Sequence, residues 1–178
     1  MRWIWFAAVL AACGGGGDDG GACLGAGDAG ATGPTVTVRG ETIVYGELEA
    51  RMGRDCGEES VTIDGVQVAP TRSTDARFSV CLPDRNMVTA TIDLATLEAF
   101  NAGALLSDGC LAARDTTVAA SGSLAVPGFC ATGEAFGIGV SGSATGIVQC
   151  AGDAVTAPEP ATLTLGGGIA AVSGFVTP

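Results

Sequence analysis

Histidine and lysine are both absent from the 178 residues, so all 8 basic side chains are arginines. Without an imidazole or an amine, the chain has no ordinary base for a catalytic triad. The serines lack the setting of a nucleophile as well: Gly139-Val140-Ser141-Gly142-Ser143 misses the second glycine of a nucleophile elbow by one place. Aromatic residues make up 5%, and both tryptophans, Trp3 and Trp5, stand at the extreme amino terminus. That weighs against sugar recognition by ring stacking. The formal net charge is -11, with no cluster of cations, which excludes nucleic acid as a partner because phosphate binding needs concentrated positive charge.

What is present begins with the leader. Met1-Arg2 precedes an apolar run from Trp3 to Leu10, and small residues follow before a break, the layout of an export signal. Eight apolar residues are too few to span a bilayer, which takes roughly 20. The stretch Leu10-Ala11-Ala12-Cys13 resembles the lipobox of bacterial lipoprotein signal peptides. That resemblance implies removal of residues 1–12, diacylglyceryl transfer to the Cys13 thiol, and acylation of the new amino terminus. Two or more acyl chains hold a protein stably where one binds marginally. The implied partner is therefore a membrane, reached through the lipid. Gly14 after the modified cysteine, by the enterobacterial sorting habit, favours the outer membrane, facing periplasm or cell exterior.

Residues 14–34 contain 10 glycines and 3 aspartates, with Leu24 as the single leucine. Such a segment cannot bury enough apolar surface to offset its ordering entropy, and reads as a flexible tether averaging roughly 25 Å end to end. Six cysteines remain beyond Cys13: Cys23, Cys56, Cys81, Cys110, Cys130 and Cys150. An even number in an exported chain predicts up to three disulfides, with fifteen pairings open. Thiolate metal binding is disfavoured, because consecutive cysteines stand at least 20 residues apart and zinc sites bring pairs within two to four.

Period-two apolar runs dominate residues 35–178. Val36 and Val38 alternate with threonines, and Ile43, Tyr45 and then Leu48 sit in a second extended run. Phe78, Val80 and Leu82 share one face, with Ser79 and Cys81 on the other, and Val88, Ala90 and Ile92 repeat the period of two. Val61-Thr62-Ile63, Asp64-Gly65 and Val66-Gln67-Val68 have the form of a hairpin with a type I′ turn. Further strands are expected at 116–120, 135–141, 145–149, 161–165 and 169–176. Asp93–Ala102 is the single helical candidate, capped by Asp93 and stopped by Gly103, with a loop as the alternative. Short strands at this spacing predict an all-β, disulfide-braced antiparallel sandwich, Ig-like or prealbumin-like.

Thr74-Asp75-Ala76-Arg77-Phe78 and Leu82-Pro83 are similar to the prealbumin-like, carboxypeptidase-regulatory type of module, which implies a sandwich and carries no function. Composition shifts near residue 115, beyond which no basic residue occurs; the single sandwich over 35–178 is preferred, with a sub-boundary near 115 as the alternative. The alternation of Phe136, Ile138 and Val140 with Gly137 and Gly139 raises a membrane barrel, set aside for want of aromatic girdles. Pro158-Glu159-Pro160-Ala161-Thr162-Leu163 resembles the head of a PEP-type sorting signal, though a turn before the last hairpin accounts for the same residues.

Three chemistries remain to be weighed. Glu47 with Glu49, and Asp55 with Glu58 and Glu59, are the carboxylate pairs that a glycoside-hydrolase type of reaction would need. Ser107-Asp108-Gly109 and the Asp55–Glu59 loop could offer oxygens to calcium, although no EF-hand or nonapeptide repeat is present. A solvated acidic surface explains the same residues. The expectation is thus a non-enzymatic, lipid-anchored envelope protein without cofactor or metal. It has a structural or protein-interaction role toward an unidentified envelope protein. The alternatives are a carboxylate-dependent hydrolase and a small-ligand binder.

Overall fold

The computed structural model describes residues 33–53, 56–57, 60–82, 91–97, 99–126, 136–150, 157–167 and 170–176. Eleven strands account for most of them: β1 (Thr35–Val38), β2 (Glu41–Gly53), β3 (Ser60–Ala69), β4 (Ser73–Leu82), β5 (Thr91–Asp93), β6 (Phe100–Leu105), β7 (Leu111–Arg114), β8 (Ser121–Ala125), β9 (Phe136–Gln149), β10 (Glu159–Gly166) and β11 (Ala170–Val176). No helix among the described residues is long and apolar enough to cross a membrane.

The sheet closes on itself. Following hydrogen-bonded neighbours, β10 pairs β1, then β2, β3, β4, β6, β7 and β9 follow, and β9 pairs β10 again. The result is an eight-stranded antiparallel barrel, which corrects the expected sandwich. Both architectures give each strand one apolar and one polar face, so the alternation is the same in either. What separates them is whether the outermost strands meet. Here the seven-residue register from Glu159↔Val148 to Leu165↔Gly142 on one side of β10, and Thr35↔Gly166 to Thr37↔Thr164 on the other, leaves no open edge. β8 continues from the first half of β9 and carries β5, while β11 runs parallel to β2 and antiparallel to the start of β9. Within the ring the six strands that precede residue 115 are contiguous, and β9 and β10, which follow it, stand side by side and close the gap between β7 and β1.

Most inward positions are apolar and most outward positions polar, with Gln67 and Arg114 the large polar side chains buried among the described residues. Val36, Val38, Ile43, Tyr45, Ile63, Phe78, Val80, Phe100, Leu163 and Leu165 are buried. In the middle, Tyr45, Phe78 and Phe100 form a contiguous aromatic stack with centroid separations of 5.7 and 5.9 Å. This is the inverse of a lipid-spanning barrel, which is apolar outside and polar within. An eight-stranded ring is just wide enough for side chains of this kind to fill.

Several local expectations are also corrected. Asp64-Gly65 is no turn: β3 runs straight through it. Gly65 faces inward, and a Cβ there would stand 2.4 Å from Leu48 Cδ2, so close packing rather than turning demands glycine. Leu48 reaches inward because β2 bulges between Gly46 and Glu49, with Glu47 at φ 51°. The tight turn is instead Arg39-Gly40, both with positive φ, joining β1 to β2.

Asp93 does accept a hydrogen bond from Ala95 N at 2.9 Å, but the helix it starts is a single 3₁₀ turn, Leu94–Thr96. Phe100, Ala102 and Ala104 then point inward with period two, and pairing to β4 and β7 overrides the helical alternative. The expected strand at 116–120 is a turn and loop, and the runs at 135–141 and 145–149 belong to the single 14-residue strand β9. Pro158 precedes β10 rather than a turn.

The tether's last two residues are structured. Pro34 is buried and its carbonyl accepts from Tyr45 N at 2.9 Å.

Candidate functional site

Antiparallel order places the β1–β2, β3–β4 and β6–β7 turns at one rim of the barrel, together with the end of β9 and the start of β10. Arg39, in the first of these turns, forms a close ion pair with Glu159 and lies 3.8 Å from Asp108. Glu41 accepts from both Ser107 N and Ser107 Oγ at 2.9 Å. Asp108 Oδ1 accepts from Cys110 N at 2.9 Å, an Asx turn that sets the β6–β7 loop. Behind it, Cys110 is joined to Cys150.

Asp108, Cys110 and Cys150 offer ligand atoms within 4.8 Å of one another. The two sulfurs are bonded to each other, however, so neither is a thiolate donor, and a single carboxylate remains. Asp108 thus turns its carboxylate to the Cys110 amide and to Arg39, and Ser107 its hydroxyl to Glu41. Of the second calcium candidate, Asp55, Glu58 and Glu59 lie outside the described residues; Cys56 is bonded to Cys81. Cys13, Cys23 and Cys130 also lie outside them.

The carboxylate pair Glu47 and Glu49 sits on the convex outer wall, not in a cleft. Arg72 grips Glu47 with Nε to Oε1 at 3.1 Å and Nη2 to Oε2 at 2.8 Å, and Arg51 reaches Glu49 at 3.3 Å. The Arg72 hydrogen bonds hold the Glu47 carboxyl below its usual range. A carboxyl kept ionised this way is poorly suited to deliver a proton, the role a general acid needs. Ser141 and Ser143 lie mid-strand on β9, their hydroxyls 3.2 and 3.0 Å from those of Ser123 and Ser121 across the ladder. That is cross-strand pairing, not an elbow.

One buried charge escaped the sequence reading. Arg114 ends β7 with 8% exposure, its guanidinium 5.0 Å over the Phe100 ring. It donates to the carbonyls of Phe100 and Val118, while Nε has no hydrogen-bond partner among the described residues. Burial pushes its pKa down. Its long stem fits because inward positions beside it are small: Ala112 on β7, Gly146 opposite on β9, and Ala102 on β6. No strand is expected at Leu111–Arg114 from the sequence; the phase that Arg114 shares with Ala112 is the one signal in the sequence that it turns inward.

Charge is sorted around the barrel. Glu47, Glu49, Arg51, Asp64, Asp75 and Arg77 lie on β2, β3 and β4. On β1, β6, β7, β8, β9 and β10 the outward positions are hydroxyl, amide, small or aliphatic side chains, with Glu159 at the turn rim and no other carboxylate. Registers align Thr42, Thr37, Thr164, Ser143 and Ser121 in one row across five strands. The described large apolar side chains that remain exposed, Leu111, Val118 and Ile147 at 41 to 45%, belong to β7, the turn after it and β9.

Comparison with protein-family models, with curated proteins and with solved structures finds no match.

Proposed function

We propose that this chain is a lipid-anchored protein of the bacterial cell envelope, held in the outer membrane, whose barrel acts by contact and not by catalysis. The observation that carries the reading is the pair of formed disulfides, Cys56–Cys81 and Cys110–Cys150. Disulfides persist in oxidising compartments outside the cytoplasm, which is where the lipobox at Leu10–Cys13 would send the chain. The engagement of Glu47, Glu49 and Asp108 by arginines and backbone amides supports a solvated, non-catalytic surface. The aromatic stack of Tyr45, Phe78 and Phe100 supports a filled interior over a ligand chamber.

The test is intact-mass spectrometry of protein extracted from membranes, paired with metabolic labelling by an alkynyl palmitate. The expected product begins at Cys13, carries the acyl chains and incorporates label; Cys13→Ser abolishes labelling and releases the protein from the membrane fraction. An unlabelled, soluble protein with residues 1–12 intact overturns the reading.

A further inference from the structure

The sorting of charge around the barrel has a direction. A tethered domain with 19 acidic residues against 7 arginines, once Arg2 leaves with the leader, is repelled by another copy and by anionic surfaces wherever its charges face outward. The wall centred on β9, flanked by β7 and β10, is where outward strand positions bear no charge, and it is also where Leu111 and Ile147 stay exposed; Val118 lies beyond it, in the turn that the carboxylate of Asp115 sets. Leu111 lies opposite Gln149, diagonal to Ile147, and Ala113 lies opposite Ile147, so the aliphatic groups are neighbours on one surface. Leu105, half-buried opposite Leu111, extends it toward β6.

We infer that this neutral wall is the face the barrel lays against the lipid headgroup surface to which it is tethered. The inference rests on the anchor reading above. A second copy is the competing occupant, and magnitude decides against it. Stable protein pairs bury about 1,600 Å² in total, and three aliphatic side chains, each less than half exposed, are a small contribution to that. If residues 14–34 form the Gly-rich coil that their composition implies, averaging about 25 Å, the domain by contrast stays beside the bilayer at an effective concentration in the millimolar range. Weak apolar contact is then enough to bias which side faces the lipid. Gln149, opposite Leu111, and the paired Thr145 and Thr162, further along the same face, can exchange water for headgroup oxygens without burying charge.

Loss of Trp3 and Trp5 with the leader makes single-tryptophan reporters clean. The lipidated full chain carrying Ile147→Trp, or Asp75→Trp on the charged wall, is reconstituted into phosphatidylcholine vesicles whose acyl chains are brominated near the headgroup. Quenching is expected to be at least about twofold stronger at position 147, and to be lost when Leu111→Glu is added. Equal quenching at both positions, with the protein still floating with vesicles, overturns this inference and leaves the anchor intact. Failure to float overturns the anchor and the inference together. Concentration-dependent dimers of the unlipidated Cys13→Ser chain, abolished by Ile147→Glu, assign the wall to a second copy and also overturn it.

Discussion

The side-chain amide of Gln67 pairs with the peptide of Leu105 as one β-strand pairs with another. Gln67 Nε2 donates to Leu105 O at 2.9 Å and Leu105 N donates to Gln67 Oε1 at 2.8 Å. The same Nε2 donates to Thr71 O at 2.9 Å, and the side chain is fully buried. The β4–β6 ladder stops at Phe78↔Ala102, so beyond it the wall is closed by this amide in place of backbone.

Gln67→Leu should therefore destabilise the barrel strongly. It strands the Leu105 N–H and C=O and the Thr71 carbonyl, each costing about 1–3 kcal/mol when left unpaired in the interior. Urea denaturation should register a loss of at least about 2 kcal/mol. Gln67→Glu should be no better, since a carboxylate cannot donate to either carbonyl.

Tyr45 is the chain's single tyrosine, so its ionisation can be read directly by ultraviolet difference absorbance. Its hydroxyl donates to Gly103 O at 2.8 Å, and burial raises its pKa well above the ordinary phenol value. The neutral form is favoured in the folded state. The associated stability is therefore fully present below the unfolded phenol pKa near 10 and is lost as pH rises beyond it. Phenolate absorbance should stay silent above pH 10 until the barrel unfolds, and then appear together with loss of the far-ultraviolet β signal. Smooth titration with a midpoint near 10 in intact protein would contradict the buried placement.

Gly122 and Gly142 face each other across β8 and β9 at φ 122° and 138°. A Cβ on Gly142 would lie 2.1 Å from Ser121 O, and one on Gly122 2.1 Å from Ser141 O. Either alanine substitution meets rigid backbone and a disfavoured torsion together, so Gly142→Ala should cost more than the roughly 1 kcal/mol of a simple glycine replacement. Thermal melting checks this; Gly40→Ala serves as the comparison, since it shares a positive φ of 82° but meets nothing within 4 Å.

The two disulfides among the described residues close loops of 25 and 40 residues. Loop-closure entropy assigns each about 3–4 kcal/mol. Cys110→Ser with Cys150→Ser, and separately Cys56→Ser with Cys81→Ser, should each lower the unfolding free energy from urea denaturation by a comparable amount. A mature protein indifferent to both would mean that the unfolded chain is already compact.

Much of the strand content was legible, because alternation such as Val36-Thr37-Val38 or Phe78-Ser79-Val80 depends only on each strand having one buried side. Asp93 as a cap was legible too, since a short polar side chain satisfying Ala95 N is a local event. Asp64-Gly65 misled because glycine serves turns and tight packing alike, and the Leu48 methyl that required it comes from a strand 17 residues away. Arg114 was invisible for a related reason: its burial depends on Gly146 and Ala102 being small, and neither is near it in the chain. Of the candidate site residues, Glu47 and Asp108 were identifiable as acidic loop or edge groups. That Arg72 and Arg39 engage them could not be read from spacing.

The chain's covalent sequence determined its charge, its lack of histidine and lysine, its alternating strands, its cysteine complement and the lipobox-like Leu10–Cys13. These follow from residue chemistry and short-range period. The closure of the sheet by β10 between β1 and β9, the pairing of Cys56 with Cys81 and Cys110 with Cys150, and the sorting of charge to one wall were decided only in the tertiary structure. Each joins residues remote in the chain, and a strand's own pattern says which side is apolar but not which strand will lie beside it.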